Sequence, residues 1–496
     1  MTHRLFTAAA AAVALISGAN AAQAQDFRAL AQQDLRAIHD MLRDNHPAAV
    51  VPGEVSAGYR SWLETGLTDA LSKASQANSA HSHNYLLRYY ATGFRDPGIR
   101  IPPTFELLGP YFAIGWPGFT TGWRDGKYVV TYVQAGLRRA PQVGDIVTEC
   151  MGTPIEEYAR RRLDRWEADL NTEAGRIQSA PYLLWNRNNP FTGGVPQTCK
   201  FQRGRARPRD MELQTQIGTT PAQYEAAVRS TVYMPPATPL AIETVNGRPW
   251  IHAHSLADDA GWEAFNALLV SQIDQIRGPQ GFVLDLRGAD GASLNATAKG
   301  YGLANRIWTP EFTVSRQPVA GMITYRATPG NRQWYADTLG RMEGDPVFAY
   351  EYPAVIEETK AILAAMDAAI AGGQASFTLQ GRAPVADTGA ANPVQGNVIV
   401  LVDSGCSGGC LDVLDLMARL PSVRIAGTVT GTDSIFVEPT VQRLPSNFAD
   451  IQYGHKAWTS RQRGIQPYTP AGPLAYTGNP ADETAVRAFV ASLFGG

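Results

Sequence analysis

The sequence predicts a mixed α/β protein, and three features of its 496 residues carry that prediction. Strands alternate with helices from Ile242 onwards, the pattern of a layered α/β core. Two of those strands, Phe282-Val283-Leu284-Asp285-Leu286 and the NVIVLV run Asn397 to Val402, are almost wholly apolar, as strands covered on both faces must be. The chain before them changes character, from helical spacing between Phe27 and Phe94 to short β-rich pieces with Gly and Pro turns from Ile99 to Leu163.

In chain order, His3 and Arg4 precede an alanine-rich apolar run from Leu5 to Ile16, and Ala22-Gln23-Ala24 supplies an A-x-A cleavage pattern. That run is too short to span a bilayer, so residues 1–24 read as a signal peptide and the protein as periplasmic or secreted from a bacterium. Residues 25–98 read as a helical cap, because Leu30, Leu35, Ile38 and Leu42 recur at helical spacing until Asn45-His46-Pro47 breaks it. Further helices are expected over 59–74 and 84–91. Residues 99–165 form a β-rich segment. Here the strand Tyr128 to Val133, a Gly144-Asp145 turn, a second strand, the turn Gly152-Thr153-Pro154 and a helix from Glu156 to Arg162 resemble part of a PDZ-like module, which binds peptide ends by strand addition. Residues 166–240 read as an irregular connection with local strands, and 241–496 as the α/β core. In that core strands are expected at Trp250 to His254 and Val423 to Gly427, and helices at Ala260 to Ile276 and Gly409 to Leu420.

Composition narrows the function. Lys and Arg total 43 against 45 Asp and Glu, so the net charge of −2 offers no basic excess for a nucleic-acid binder. The 4 cysteines are too few for a disulfide scaffold, although export would permit a Cys150–Cys199 bridge. A Cys406–Cys410 bridge needs favourable backbone geometry at a helix start. No paired Cys or His ligands flank either pair and no nucleotide loop is present, so the sequence implies no metal and no cofactor.

Two turns carry the chemistry. The first runs from Asp285 through Arg287, Gly288 and Gly291 to Ser293, after a buried strand and before a helix, where small residues let backbone N–H groups line an anion site. An ordinary Gly-rich turn is the alternative. The second, Asp403-Ser404-Gly405-Cys406-Ser407-Gly408-Gly409-Cys410, satisfies G-x-S-x-G, the sharp strand-to-helix turn that exposes a serine where the helix dipole favours an oxyanion.

Together the turns, DLRGADGAS and VLVDSGCSGGCLD, resemble those of the C-terminal-processing (tail-specific) serine protease family, in its tricorn-core and retinoid-binding-repeat branch. The resemblance runs over most of residues 27 to 470. It implies a crotonase-like layered core behind the helical cap and PDZ-like segment, and hydrolysis of peptide bonds in a peptide or protein substrate through an acyl-enzyme. It makes Ser407 the nucleophile, and Gly408 with Gly291 or Ala292 the oxyanion hole. Three departures stand out. Counted without gaps, the family's serine column falls on Gly408; Asp433 occupies the column of the family's lysine base; and the segment Phe94 to Ile99, where tricorn-like members carry a base histidine, has none. Replacement bases are His455 first, then His252, His254, Lys299 and Lys456, with Asp433 or Glu438 able to orient a histidine. A pseudo-protease scaffold is the runner-up reading, and an α/β-hydrolase triad of Ser407, Asp433 and His455 the third.

Overall fold

The computed structural model describes residues 26–105, 115–257, 259–291, 295–319 and 321–495. The expected signal peptide and Ala292 lie outside the described residues.

The five-stranded central sheet explains the apolar strands. Its order is Val423–Gly427, Val398–Val402, Phe282–Asp285, Arg248–Ala253, Leu240–Val245, with the first four parallel and the last pair antiparallel. Successive side chains point to opposite faces. Val398, Val400 and Val402 therefore enter one core, with the helices Asp259–Ser271, Ala296–Trp308 and Gly409–Met417. Ile399 and Leu401 enter another, against the C-terminal helix Glu483–Phe494. All five residues of Val398–Val402 are buried, which is why the strand shows no polar alternation.

The N-terminal helices are Phe27–Asn45, Glu54–Lys73 and Ala80–Gly93, starting earlier than the periodicity alone placed the second and third. Asp26 caps the first, accepting from the Arg28 and Ala29 amides at 3.1 Å each. Their apolar faces, including Leu35, Ile38 and Leu42, share a core with the hairpin Phe436–Arg443 and Asp450–Trp458. That hairpin belongs to a second sheet, ordered Ser376–Gln380, Met322–Arg326, Asp450–Trp458, Phe436–Arg443.

A third sheet runs Phe119–Arg124, Lys127–Val133, Ile146–Cys150, Thr198–Gln202, Arg209–Glu212. Its last two strands come from the stretch read as an irregular connection, which also holds the helices Glu173–Ser179 and Pro221–Arg229. Polar outer faces hid these strands: in Thr198–Gln202 only Cys199 and Phe201 are buried. Cys150 and Cys199 are cross-strand partners and are disulfide-bonded. Among the described residues no helix is long and apolar enough to cross a membrane.

Candidate active site

Because Phe282–Asp285 and Val398–Val402 are adjacent and parallel, the turns that follow them leave the same sheet edge side by side. One buried carboxylate joins them. Asp403 Oδ1 accepts from the Gly288 amide at 2.8 Å and the Gly405 amide at 2.9 Å. Burial pushes the Asp403 carboxyl up to about 6, against the pull of those two amides. Further along, Asp290–Gly291 and Ser407–Gly408 pair as a short parallel ladder, with Gly291 opposite Gly408. A Cβ on Gly291 would lie 2.3 Å from the Gly409 nitrogen and 2.4 Å from that of Cys410, so only glycine permits this approach.

Ser407 thus stands at the mouth of the helix Gly409–Met417, half-buried, with Gly408 at φ 56°, ψ −126°, a conformation L side chains avoid. The sequence-predicted Ser407, Gly408 and Gly291 are brought together. Cys406 and Cys410, read as an awkward pair, are bridged at a Cα separation of 5.4 Å, because the tight turn into the first helical turn supplies the required approach.

The loop 428–434 closes over this turn. The Gly431 amide donates to the Cys406 carbonyl at 2.9 Å, and a Cβ on Gly431 would sit 2.9 Å from the Ser407 Cβ. Asp433, in the lysine column, is gripped by Arg461 Nη1 and Arg463 Nη2, each at 2.8 Å. Arg461 also pairs with Asp412, whose other oxygen accepts from Thr297 Oγ1 at 2.6 Å. Burial, opposed by Arg461, pushes the Asp412 carboxyl up to about 6. Asp415 completes the network, bound by Arg463 Nε at 2.7 Å and the Tyr468 hydroxyl at 2.7 Å. The sequence reading missed these arginines. They lie more than 45 positions beyond Asp412 and Asp415, and no local pattern announces the pairing.

His455 lies elsewhere. Its Nε2 meets the Tyr335 hydroxyl at 2.9 Å and Glu438 at 3.3 Å, and its ring packs on Trp334 at 4.0 Å between centroids. No described contact joins it to the Ser407 turn. Burial lowers its pKa despite Glu438, and Lys456 shares the same carboxylate at 2.7 Å. Lys299 Nζ donates to the Leu256 carbonyl. In the segment Phe94 to Ile99, Asp96 accepts from His46 Nε2 at 3.2 Å, and a Cβ on Gly98 would contact the Phe436 carbonyl at 3.5 Å. His46 is fully buried there, stacked on Tyr59, and its Nδ1 caps the following turn by accepting from the Ala48 amide at 3.1 Å.

The alternation that puts His252 and His254 on one face does bring them together, behind the first turn. His252 Nδ1 and His254 Nε2 are 3.0 Å apart, and with Asp285 their ligand-type atoms lie within 4.8 Å of one another, the described cluster with metal-holding geometry. The hydrogen bonds fit a proton there. His254 Nδ1 donates to the Arg287 carbonyl at 2.9 Å, leaving the one lone pair of Nε2 to face the Tyr233 hydroxyl and His252 Nδ1, each at 3.0 Å. His252 Nε2 donates to Glu243 at 2.9 Å, and a second proton on Nδ1 would make the ring cationic. Burial opposes that charge, yet Asp285 and Glu243 raise the His252 pKa; burial lowers His254 to about 4. Asp285 is fully buried, and Arg287 and His252 hold it well below the carboxylate range. Arg287 joins Asp285 to the partly exposed Glu483, and Arg487 joins the partly exposed Glu243 at the rim of the cluster.

No family model matches the chain, and no curated protein sequence matches it. Solved structures do. Mature CPAF aligns with 95% of this chain and 96% of its own at 13% identity and a TM-score of 0.53, and CPAF complexed with lactacystin aligns with 95% and 97% at the same identity and score. The fold is that of CPAF. The photosystem II D1 C-terminal processing protease also aligns, over 94% of this chain and 97% of its own, at 12% identity and a TM-score of 0.34. These neighbours are tail-specific proteases, the family the two turns resemble.

Proposed function

We propose that this protein is an exported serine-type peptidase-like hydrolase, periplasmic or secreted, that cleaves peptide bonds through an acyl-enzyme on Ser407. The observation that carries the proposal is the juxtaposition of Ser407 at a helix N-terminus with the Gly408–Gly291 ladder. In this reading Ser407 Oγ attacks the scissile carbonyl carbon. The oxyanion is held by the Gly408 amide, and by the Gly291 amide once substrate opens its ladder bond to the Ser407 carbonyl; the amine leaves with the serine's proton, and water hydrolyses the ester. The central sheet covered on both faces supports a crotonase-like core in residues 241–496, and the sheet from Phe119 to Glu212 supports a PDZ-like segment that receives the peptide. The general base is non-standard, since Asp433 holds the lysine column and is committed to two arginines. His455 stays a candidate only through its replacement, which is its test.

Purified protein is treated with a fluorophosphonate probe and the modified residue found by mass spectrometry, with Ser407→Ala alongside. Labelling confined to Ser407, blocked by lactacystin, is expected. A chain shown folded by circular dichroism that takes no label is instead a pseudo-protease, a scaffold that binds peptides without cutting them.

A further inference from the structure

The disulfide at the second turn encloses the serine itself. Cys406 precedes Ser407, Cys410 is the second residue of the helix Gly409–Met417, and the bridge spans only Ser407, Gly408 and Gly409. Glycines at 405, 408 and 409 give this turn wide backbone freedom, and Gly408 occupies a conformation that favours glycine. Such a turn holds a nucleophile in place only if something outside its own torsional preferences fixes it. A ring this short restrains the unfolded chain least among disulfides, so its main effect falls on local geometry. Both sulfur-bearing residues are fully buried, and Cys406 is tied twice more, its amide to the Asp403 carbonyl at 3.1 Å and its carbonyl to the Gly431 amide at 2.9 Å. The bridge therefore couples three pieces: the Asp403 turn, the first turn of the helix, and the loop that closes over Ser407.

We propose that the Cys406–Cys410 disulfide is the positioning device of the Ser407 turn, holding the serine and the Gly408 amide in register with Gly291, so that the dithiol form is folded but poorly active. This rests on the Ser407 reading above and adds its control: formation of the bridge, two thiols losing two electrons and two protons to an oxidant such as a disulfide-exchange partner, completes the site. Cys406 and Cys410 are positioning residues, not reacting ones.

The test is the double variant Cys406→Ala/Cys410→Ala, compared with the wild-type chain and with Cys150→Ala/Cys199→Ala. The expected result is a fluorophosphonate labelling rate at Ser407 at least about tenfold lower in the first variant, with unchanged far-UV circular dichroism, and faster amide exchange confined to residues 404–412. The Cys150/Cys199 variant labels at the wild-type rate below its melting transition. If the first variant does not fold, the Cys150→Ala/Cys199→Ala chain, whose remaining bridge is Cys406–Cys410, is labelled before and after phosphine reduction without alkylation, and the reduced form carries the comparison. Unchanged labelling and a flat exchange profile overturn the proposal. A wild-type chain that takes no label overturns the Ser407 reading alone; local exchange then still upholds the positioning role, and a flat profile ends it.

Discussion

The two disulfides sit in regions that differ in what they need. Cys150–Cys199 staples neighbouring strands of a sheet whose polar outer faces leave it a modest apolar core, and it closes a loop of 49 residues. Cys406–Cys410 closes a separation of 4 at the edge of a sheet buried on both faces. By the loop-entropy argument the first constrains the unfolded chain by about 4 kcal/mol and the second by about 2 kcal/mol. One region has the smaller core and gains stability from its bridge. The other is held by its core and gains definition of a glycine-rich turn.

The largest effect that would sharpen this contrast is in the sheet. Cys150→Ala/Cys199→Ala is expected to lose about 4 kcal/mol in denaturant unfolding, against at most about half that for the other pair. Equal losses would break the comparison. Next comes the carboxylate that joins the two turns. Asp403→Ala strips an acceptor from two buried amides and should cost about 2–3 kcal/mol and abolish labelling of Ser407. Asp403→Asn keeps an oxygen for both amides and should restore labelling.

The pH dependence of that same variant checks its sign. Asp403 has its folded pKa raised to about 6, so its contribution is fully present below the unfolded carboxylate pKa and is lost as pH rises through 6. Asp403→Asn should therefore remove a loss of stability of about 2 kcal/mol between pH 4 and 7. His252, with its pKa raised, contributes below pH about 6.5 and loses that contribution as pH rises through its folded value. His252→Gln should flatten the alkaline side of the stability profile. Finally, His455→Ala is expected to lower stability without shifting the pH profile of hydrolysis, since its ring belongs to the Tyr335–Glu438 cluster. A lost or shifted profile would return His455 to the role of base.

Much of the site was legible because its signals are local. Strands buried on both faces are nearly all apolar, so FVLDL and NVIVLV announced the sheet, and the turns after them announced Ser407, Gly408 and Gly291. The strands Thr198–Gln202 and Arg209–Glu212 were not legible, since a half-exposed sheet leaves too few apolar residues per strand to show a period.

The sequence by itself determined the α/β class, the parallel strands and the glycines of the two turns, because each follows from burial or torsional limits within a few residues. Tertiary structure alone decided what surrounds them. It paired Cys406 with Cys410, set Arg461 and Arg463 on Asp433, buried His46 against Asp96 and seated His455 beside Tyr335 rather than Ser407. Apart from the disulfide, these partners come from segments 30 or more residues apart, except for the pair of Arg461 with Asp433 at 28, and hydrogen bonds and ion pairs between such segments impose no periodicity on the chain. They are set by where the core places the backbone.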